Sequence, residues 1–229
     1  MRFRTKEEAR EFMWSRMQGN MAFIKPVYNT VPDFKGSSRA CENLYDKLKN
    51  LQRIFVSPDA PLTHLRELLV QSGKTVVMPT PRLKEGFVLV DGKEVSSKNI
   101  RYSVTLSGAL KTCKTVNHVE GIDAFVVGSV CVGRDGSRVG KGGGFEDLAY
   151  GILRESNSIK DSAEICTVVH EMQIVTSLPN TFFDIPIDII STQRRVIVNE
   201  RRKRPNRVYW ELLNKRKIEE ISALKTLKH

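Results

Sequence analysis

A chain of 229 residues can bury a substantial core, either as one large α/β domain or as two small ones. Its longest apolar stretch, around Ile122–Val132, is far too short to span a bilayer, and its charged N-terminal segment does not read as a signal sequence. Cys41, Cys113, Cys131 and Cys166 form no C-x-x-C pair, which argues against zinc or a disulfide framework and for buried thiols in a reduced, cytoplasmic setting.

In chain order, Thr5–Met17 has helical spacing, with Ala9, Phe12, Met13 and Arg16 on adjacent turns. Lys25–Gly36 is a loop punctuated by Pro26 and Pro32, and Ser38–Asn50 reads as a second helix. Arg53–Ser57 is a short buried strand; Pro58-Asp59-Ala60-Pro61 stops it and starts a helix over Leu62–Ser72, which Gly73 caps. Lys74–Met78 is the next strand. The prolines of Pro79-Thr80-Pro81-Arg82-Leu83 disfavour helix before them, and Gly86–Val90 with Lys93–Ser96 predicts a hairpin around Asp91-Gly92. Ala124–Val130 is a strand, Glu146–Ser156 a helix, and Glu164–Val169, Ile185–Ile190 and Arg195–Val198 are further strands. Continuous apolar runs with helices between them indicate a mostly parallel sheet covered on both faces. Neither a repeat nor a low-complexity linker divides the chain, so 1–199 is expected to be one α/β domain, followed by a basic helical tail at 200–229.

The most informative segment is Arg138-Val-Gly140-Lys141-Gly142-Gly143-Gly144-Phe145-Glu146-Asp147. Four glycines in five residues let backbone N–H groups turn into one concavity, at which the predicted helix points its positive end. Arg138 and Lys141 add positive charge, whereas the Asp147 carboxylate would repel phosphate unless a divalent cation bridged them. The loop therefore reads as a nucleotide–metal site; a flexible turn between two elements is the plainer alternative. It is not a Walker A loop, because Gly142 follows Lys141 and Gly136 stands one residue too close to Gly140, and the G-x-G-x-x-G spacing also fails.

The tail carries about half of the net charge of +11, with ten Lys/Arg against four Glu in residues 200–229. Arg201-Arg202-Lys203-Arg204 suits a polyanion such as RNA, but Pro205 interrupts it and no aromatic stacking platform accompanies it in sequence, so a solvated domain end is the favoured reading. Trp210, Leu213, Ile221, Leu224 and Leu227 recur at near-helical intervals, as expected for packing on the domain or on a second subunit; the oligomeric state is open. His170 and Glu171 face opposite sides if they lie on a strand, so His170 reads as a structural hydrogen-bonder.

Several of these segments together resemble the 5-formyltetrahydrofolate cyclo-ligase (methenyltetrahydrofolate synthetase) family, and more closely its methenyltetrahydrofolate synthetase domain-containing branch. The matching segments are Pro26-Val27, Pro32-Asp33-Phe34-Lys35-Gly36, Pro58-Asp59, Met78–Leu83, Val127–Val130, Arg138–Leu148, Thr167–His170 and Asp184-Ile-Pro-Ile-Asp188, spread over roughly residues 5–198. The resemblance implies a Rossmann-like three-layer α/β/α fold. It further implies an ATP- and Mg²⁺-dependent ligase acting on 5-formyltetrahydrofolate or a related formylated reduced pterin. ATP phosphorylates the formyl oxygen, N10 attacks the activated carbon, and phosphate leaves to give the 5,10-methenyl product. It also implies that Lys6 and Arg10, one turn apart and so on one helix face, reach the nucleotide with Arg138, Gly140, Lys141, Gly142, Gly143, Gly144 and Phe145, while Asp147 and Asp188 take the acidic positions associated with magnesium.

Two departures bear on the substrate. The enzymes usually carry two tyrosines where this chain has Phe145-Glu146, and an acidic residue followed by Thr where it has Ala60-Pro61-Leu62. Low or absent turnover of ordinary 5-formyltetrahydrofolate is the expectation from these changes. The alternatives are a non-catalytic nucleotide- or RNA-binding relative that kept the fold and lost the folate site, and the same activation chemistry on another carbonyl.

Overall fold

The computed structural model describes residues 2–227. Thr5 accepts the Glu8 N–H at 3.1 Å and so starts α1 (Lys6–Gln18), which buries Ala9, Met13, Trp14 and Met17. A two-stranded ribbon, β1 (Phe23–Ile24) and β2 (Asp33–Phe34), leads into α2 (Ser37–Leu48). The main sheet begins with β3 (Arg53–Val56), α3 (Thr63–Gln71), β4 (Thr75–Pro79) and β5 (Phe87–Asp91). The helices α4 (Ile100–Ser103) and α5 (Leu106–Thr112) precede β6 (Thr115–Val116) and β7 (Ile122–Val126). Then come β8 (Cys131–Gly133), β9 (Arg138–Val139), α6 (Phe145–Glu155), β10 (Ile159–Val168) and β11 (Ile174–Val175). The strands β12 (Ile189–Ser191) and β13 (Val196–Val198) and the short helices α7 (Lys215–Glu220) and α8 (Ser222–Leu227) complete the chain.

The eight-stranded sheet runs β13-β12-β10-β7-β3-β4-β5-β6. Its five central strands pair in parallel, and β13, β5 and β6 add antiparallel edges. Strand alternation divides the core in two. Ile54, Val56, Ala124 and Val126 face α1, α2 and α3, while Phe55, Val77 and Phe125 face α6 and the tail. On the second face the Phe55 and Phe125 rings stack at 4.0 Å, and Tyr150 of α6 meets Phe125 edge-on at 5.2 Å, contacts worth about 0.5–1.5 kcal/mol each beyond their burial. The mostly parallel α/β sheet flanked by helices is the architecture read from the sequence.

Three local expectations are corrected. Asp91-Gly92 does not turn a hairpin; β5 pairs with β4 and β6, and Gly92 closes the strand against the α3–β4 corner, where a Cβ would lie 2.4 Å from the Val70 carbonyl. The strand before the glycine loop ends at Val126, and a separate three-stranded sheet, β11-β8-β9, intervenes. Residues 207–227 form no single helix but a short turn at Trp210–Leu212 followed by α7 and α8, with Val208, Ile221, Ala223 and Leu224 buried against the α6 face.

This topology positions the site. From β3 the chain steps to β4 on one side and later returns to β7 on the other, leaving a crevice outside the carboxyl ends of β3 and β7. Ser57 and Asp59 follow β3 there, and Gly128 and Ser129 follow β7.

Candidate functional site

The glycine loop crosses this end of the sheet between β9 and α6. Gly142 (φ +106°) and Gly144 (φ +67°) take left-handed conformations, and Gly144 caps α6 with no side-chain acceptor, which leaves the helix's first amides for a ligand. Arg10 reaches across from α1 and donates Nε to the Gly140 carbonyl at 2.9 Å, so the first helix is tied to the loop. Its guanidinium also pairs with Glu7, and Lys6, one turn earlier, pairs with Asp184. The other Asp184 oxygen accepts the Thr181 N–H at 2.6 Å.

Arg138 is buried between these groups. Its Nε donates to the Gly128 carbonyl at 3.2 Å, and its terminal nitrogens lie 3.8 Å from Glu146 and 3.6 Å from Asp147. Asp147 also accepts the Ile185 N–H at 3.1 Å. Lys6, Arg10, Arg138, Gly140, Gly142, Gly144, Glu146, Asp147 and Asp184 thus line one cleft of about 480 Å³. Burial pushes the Glu146 carboxyl up; Arg138 opposes that shift and Asp59 reinforces it.

Lys141 turns out of the cleft into the crevice and bonds Asp59 at 2.7 Å. Asp59 accepts the Ser57 hydroxyl at 2.8 Å, and the Ser57 oxygen accepts the Gly128 N–H at 2.9 Å. The fit requires glycine at 128, since a Cβ there would lie 2.4 Å from Asp59 Oδ2. Burial would lower the Lys141 ammonium, but the Asp59 carboxylate outweighs it and holds the group above its usual value. Beneath, the fully buried Arg66 donates to the carbonyls of Ser57 (2.7 Å), Asp59 (3.2 Å) and Val104 (2.8 Å) and to the Thr63 hydroxyl (3.0 Å). Burial lowers its guanidinium to about 10, against the pull of Asp59.

The sequence-derived site residues therefore divide. Lys6, Arg10, Arg138, Gly140, Gly142, Gly144 and Asp147 share the cleft, and Lys141 serves the adjoining crevice. Phe145 does not line the cleft; its ring packs over Gly143 and lies 5.5 Å from the Lys217 ammonium. Asp188 does not line the cleft. Its Oδ2 accepts the Ile165 N–H at 2.7 Å and pairs with Arg204 of the tail, while its buried Oδ1 has no hydrogen-bond partner among the described residues. Asp184, four residues earlier, is the carboxylate that lines the cleft beside Asp147. Asp59 and Ser57 went unassigned from sequence, although a carboxylate just after a strand at the sheet's switch point is the signal that would have found them.

Among the described residues no three His, Cys, Asp or Glu side chains cluster to hold a metal by themselves. Asp147 and Asp184 nonetheless fit Mg²⁺, which keeps most of its water and takes one or two carboxylates together with phosphate oxygens. The three cations and the loop amides fit phosphate. His170 caps a short turn by accepting the Met172 N–H at 3.2 Å, Glu171 pairs with Arg195, and burial pushes the Cys41 and Cys131 thiols up to about 12; none of these lines the cleft. No helix among the described residues is long and apolar enough to cross a membrane.

Residues 5–193 match the profile of the 5-formyltetrahydrofolate cyclo-ligase family. The chain is 33% identical to a human methenyltetrahydrofolate synthase domain-containing protein over 98% of its own length and 61% of the relative's, and 32% identical to the Bos taurus protein of that name over 98% and 62%. It thus spans about three fifths of these relatives. The structure of Aquifex aeolicus 5,10-methenyltetrahydrofolate synthetase superposes with a TM-score of 0.55 at 18% identity, covering 86% of this chain and 94% of that one. The Mycoplasma pneumoniae 5,10-methenyltetrahydrofolate synthetase gives 0.51 at 14%, over 85% and 99%. At these identities the two structures speak to the fold alone.

Proposed function

The chain belongs to the 5-formyltetrahydrofolate cyclo-ligase family, and on that premise we propose that it binds ATP with Mg²⁺ in the glycine-loop cleft and uses it to close the ring of a formylated reduced pterin. The observation that carries this reading is the convergence of Lys6, Arg10 and Arg138, from α1 and β9, on the loop at the positive end of α6. Phosphoryl transfer asks little of a protein beyond fixed donors, cations and a metal.

In this reading Lys6, Arg10 and Arg138 neutralise the phosphates, and the amides of the loop and of the first turn of α6 orient them. Asp147 and Asp184 hold Mg²⁺ directly or through its waters; when bound, the ion neutralises charge between phosphate oxygens. The formyl oxygen of the pterin accepts the γ-phosphoryl group and ADP leaves. N10 then attacks the activated carbon and loses its proton, and phosphate departs with the former formyl oxygen, able to carry that proton away. Asp59 offers the pterin's N–H edge an acceptor, and Lys141 and Ser57 hold that carboxylate in place. Asp59 thereby answers for the carboxylate missing at Ala60-Pro61-Leu62.

A second reading, a nucleotide-binding relative without turnover, is favoured by one observation. Glu146 places a buried carboxylate against Arg138 and inside the cleft, where it competes with phosphate for the same guanidinium. One experiment separates the two. Purified protein is incubated with ATP, Mg²⁺ and 5-formyltetrahydrofolate while methenyl absorbance and ADP are followed, with Lys6→Ala and Arg10→Ala as variants. Each variant should weaken ATP binding by about 1.5–3 kcal/mol, the worth of a charge-assisted contact. ATP binding without either product supports the second reading, and unchanged ATP affinity in both variants defeats the cleft assignment.

A further inference from the structure

A second pocket, of about 230 Å³, opens beside the cleft and shares Gly144, Asp147 and Phe183 with it. One wall is Leu148 and Gly151 of α6. The other is the tail, contributing Pro205, Arg207, Val208, Tyr209, Leu212, Leu213 and Lys217. These tail residues lie beyond the 5–193 family match. Apart from Asp147, Arg207 and Lys217 at its edges, the lining is apolar and aromatic.

The tail is built in as a fixed wall. The Glu155 carboxylate accepts the Val208 N–H at 2.6 Å and the Trp210 indole N–H at 3.0 Å. Gly151 lets the backbones meet, since a Cβ there would lie 3.0 Å from the Arg207 carbonyl oxygen. Arg207 lies over the Tyr209 ring at 4.6 Å and pairs with Glu211, and Tyr209 packs edge-on against Phe182 at 4.9 Å. The Arg run is spent on the same fastening: Arg201 donates to the Asp161 and Ser162 carbonyls, Arg202 pairs with Asp135 and Arg204 with Asp188.

We propose that this pocket receives the purine base of the nucleotide whose phosphates occupy the cleft, so that residues 205–217 complete the nucleotide site. The proposal rests on the cleft reading given above. A phosphate-only ligand would need the cleft alone. A nucleoside triphosphate also carries a flat, weakly hydrated ring, and the shared residues at the N-terminus of α6 give that ring a continuous path into the apolar pocket. Stacking against Phe183 or Tyr209 and burial against Leu148, Leu212 and Leu213 are the contacts available to it.

The test compares Mg²⁺–ATP with inorganic tripolyphosphate and Mg²⁺ by calorimetry on the full chain, in Leu212→Trp and Tyr209→Ala. Leu212 is 53% exposed, so a larger side chain there can fill the pocket without disturbing the core. Both variants should bind ATP about tenfold more weakly and tripolyphosphate as before. Equal affinity of the parent for the two ligands, or ATP affinity unchanged in Leu212→Trp, overturns the base pocket while the phosphate cleft stands. Failure of the parent to bind either ligand removes the cleft reading and this proposal together.

Discussion

Replacing Arg138 by Met probes the charge arrangement on which the cleft depends. Arg138 is 5% exposed, and its guanidinium faces Glu146 at 3.8 Å and Asp147 at 3.6 Å. Each pair is worth about 4–5 kcal/mol at an effective dielectric near 20, before the penalty of removing the charges from water is subtracted. Deleting one partner leaves the other charges buried and uncompensated, so the net loss should be about 3–5 kcal/mol. For a chain of this size that lowers Tm by about 6–20 °C. The pH dependence gives a sharper test. Burial raises the folded-state pKa of Glu146, and Arg138 opposes it. A carboxyl with a raised folded pKa contributes stability that is full below its unfolded value and is lost as pH rises through the folded one. Without Arg138 the folded value climbs further, so more stability is lost on ionisation. Urea unfolding of both proteins should show the variant's deficit widening as pH rises from below the ordinary carboxylate range to neutrality. A deficit that is constant over that range, or below about 1 kcal/mol, refutes the account.

Glu146→Gln removes the carboxylate that competes for Arg138, and should raise tripolyphosphate affinity roughly tenfold by calorimetry; a weaker complex would mean that Glu146 organises the cleft. Gly142→Ala forces a Cβ onto a backbone at φ +106°, 3.4 Å from the Arg10 guanidinium carbon, and should cost about 1–3 kcal/mol in thermal unfolding. Arg204→Leu strips buried Asp188 of its counter-charge and should cost about 3–5 kcal/mol. Full rescue of that variant by Mg²⁺ would place the metal at Asp188, the acidic position the family resemblance implies.

The parallel sheet was readable because its strands are continuous apolar runs, as at Ile54-Phe55-Val56 and Ala124-Phe125-Val126, buried on both faces. The glycine loop was readable because few other residues tolerate the conformations at 142 and 144. What stayed hidden depended on contacts between segments distant in sequence. Nothing near Asp188 announces that Arg204 will take its carboxylate, and nothing near Asp59 announces that Lys141, from the glycine loop, will meet it. The hairpin at Asp91-Gly92 failed for a related reason: the glycine answers a close approach from Val70, not the geometry of a turn. At the start of β10, Lys160-Asp161-Ser162 is exposed and polar, which masked five residues of strand.

Arg66 gives the crevice a property that no single contact in it possesses. Because one buried side chain holds the carbonyls of Ser57, Asp59 and Val104 at once, the loop after β3 is ordered when the protein folds. A ligand entering beside Asp59 therefore meets a surface whose conformational entropy has already been surrendered, and more of its contact energy remains as affinity. The same guanidinium joins the crevice to the junction of α4 and α5. A substitution at that junction would change ligand affinity by moving a carbonyl it never touches.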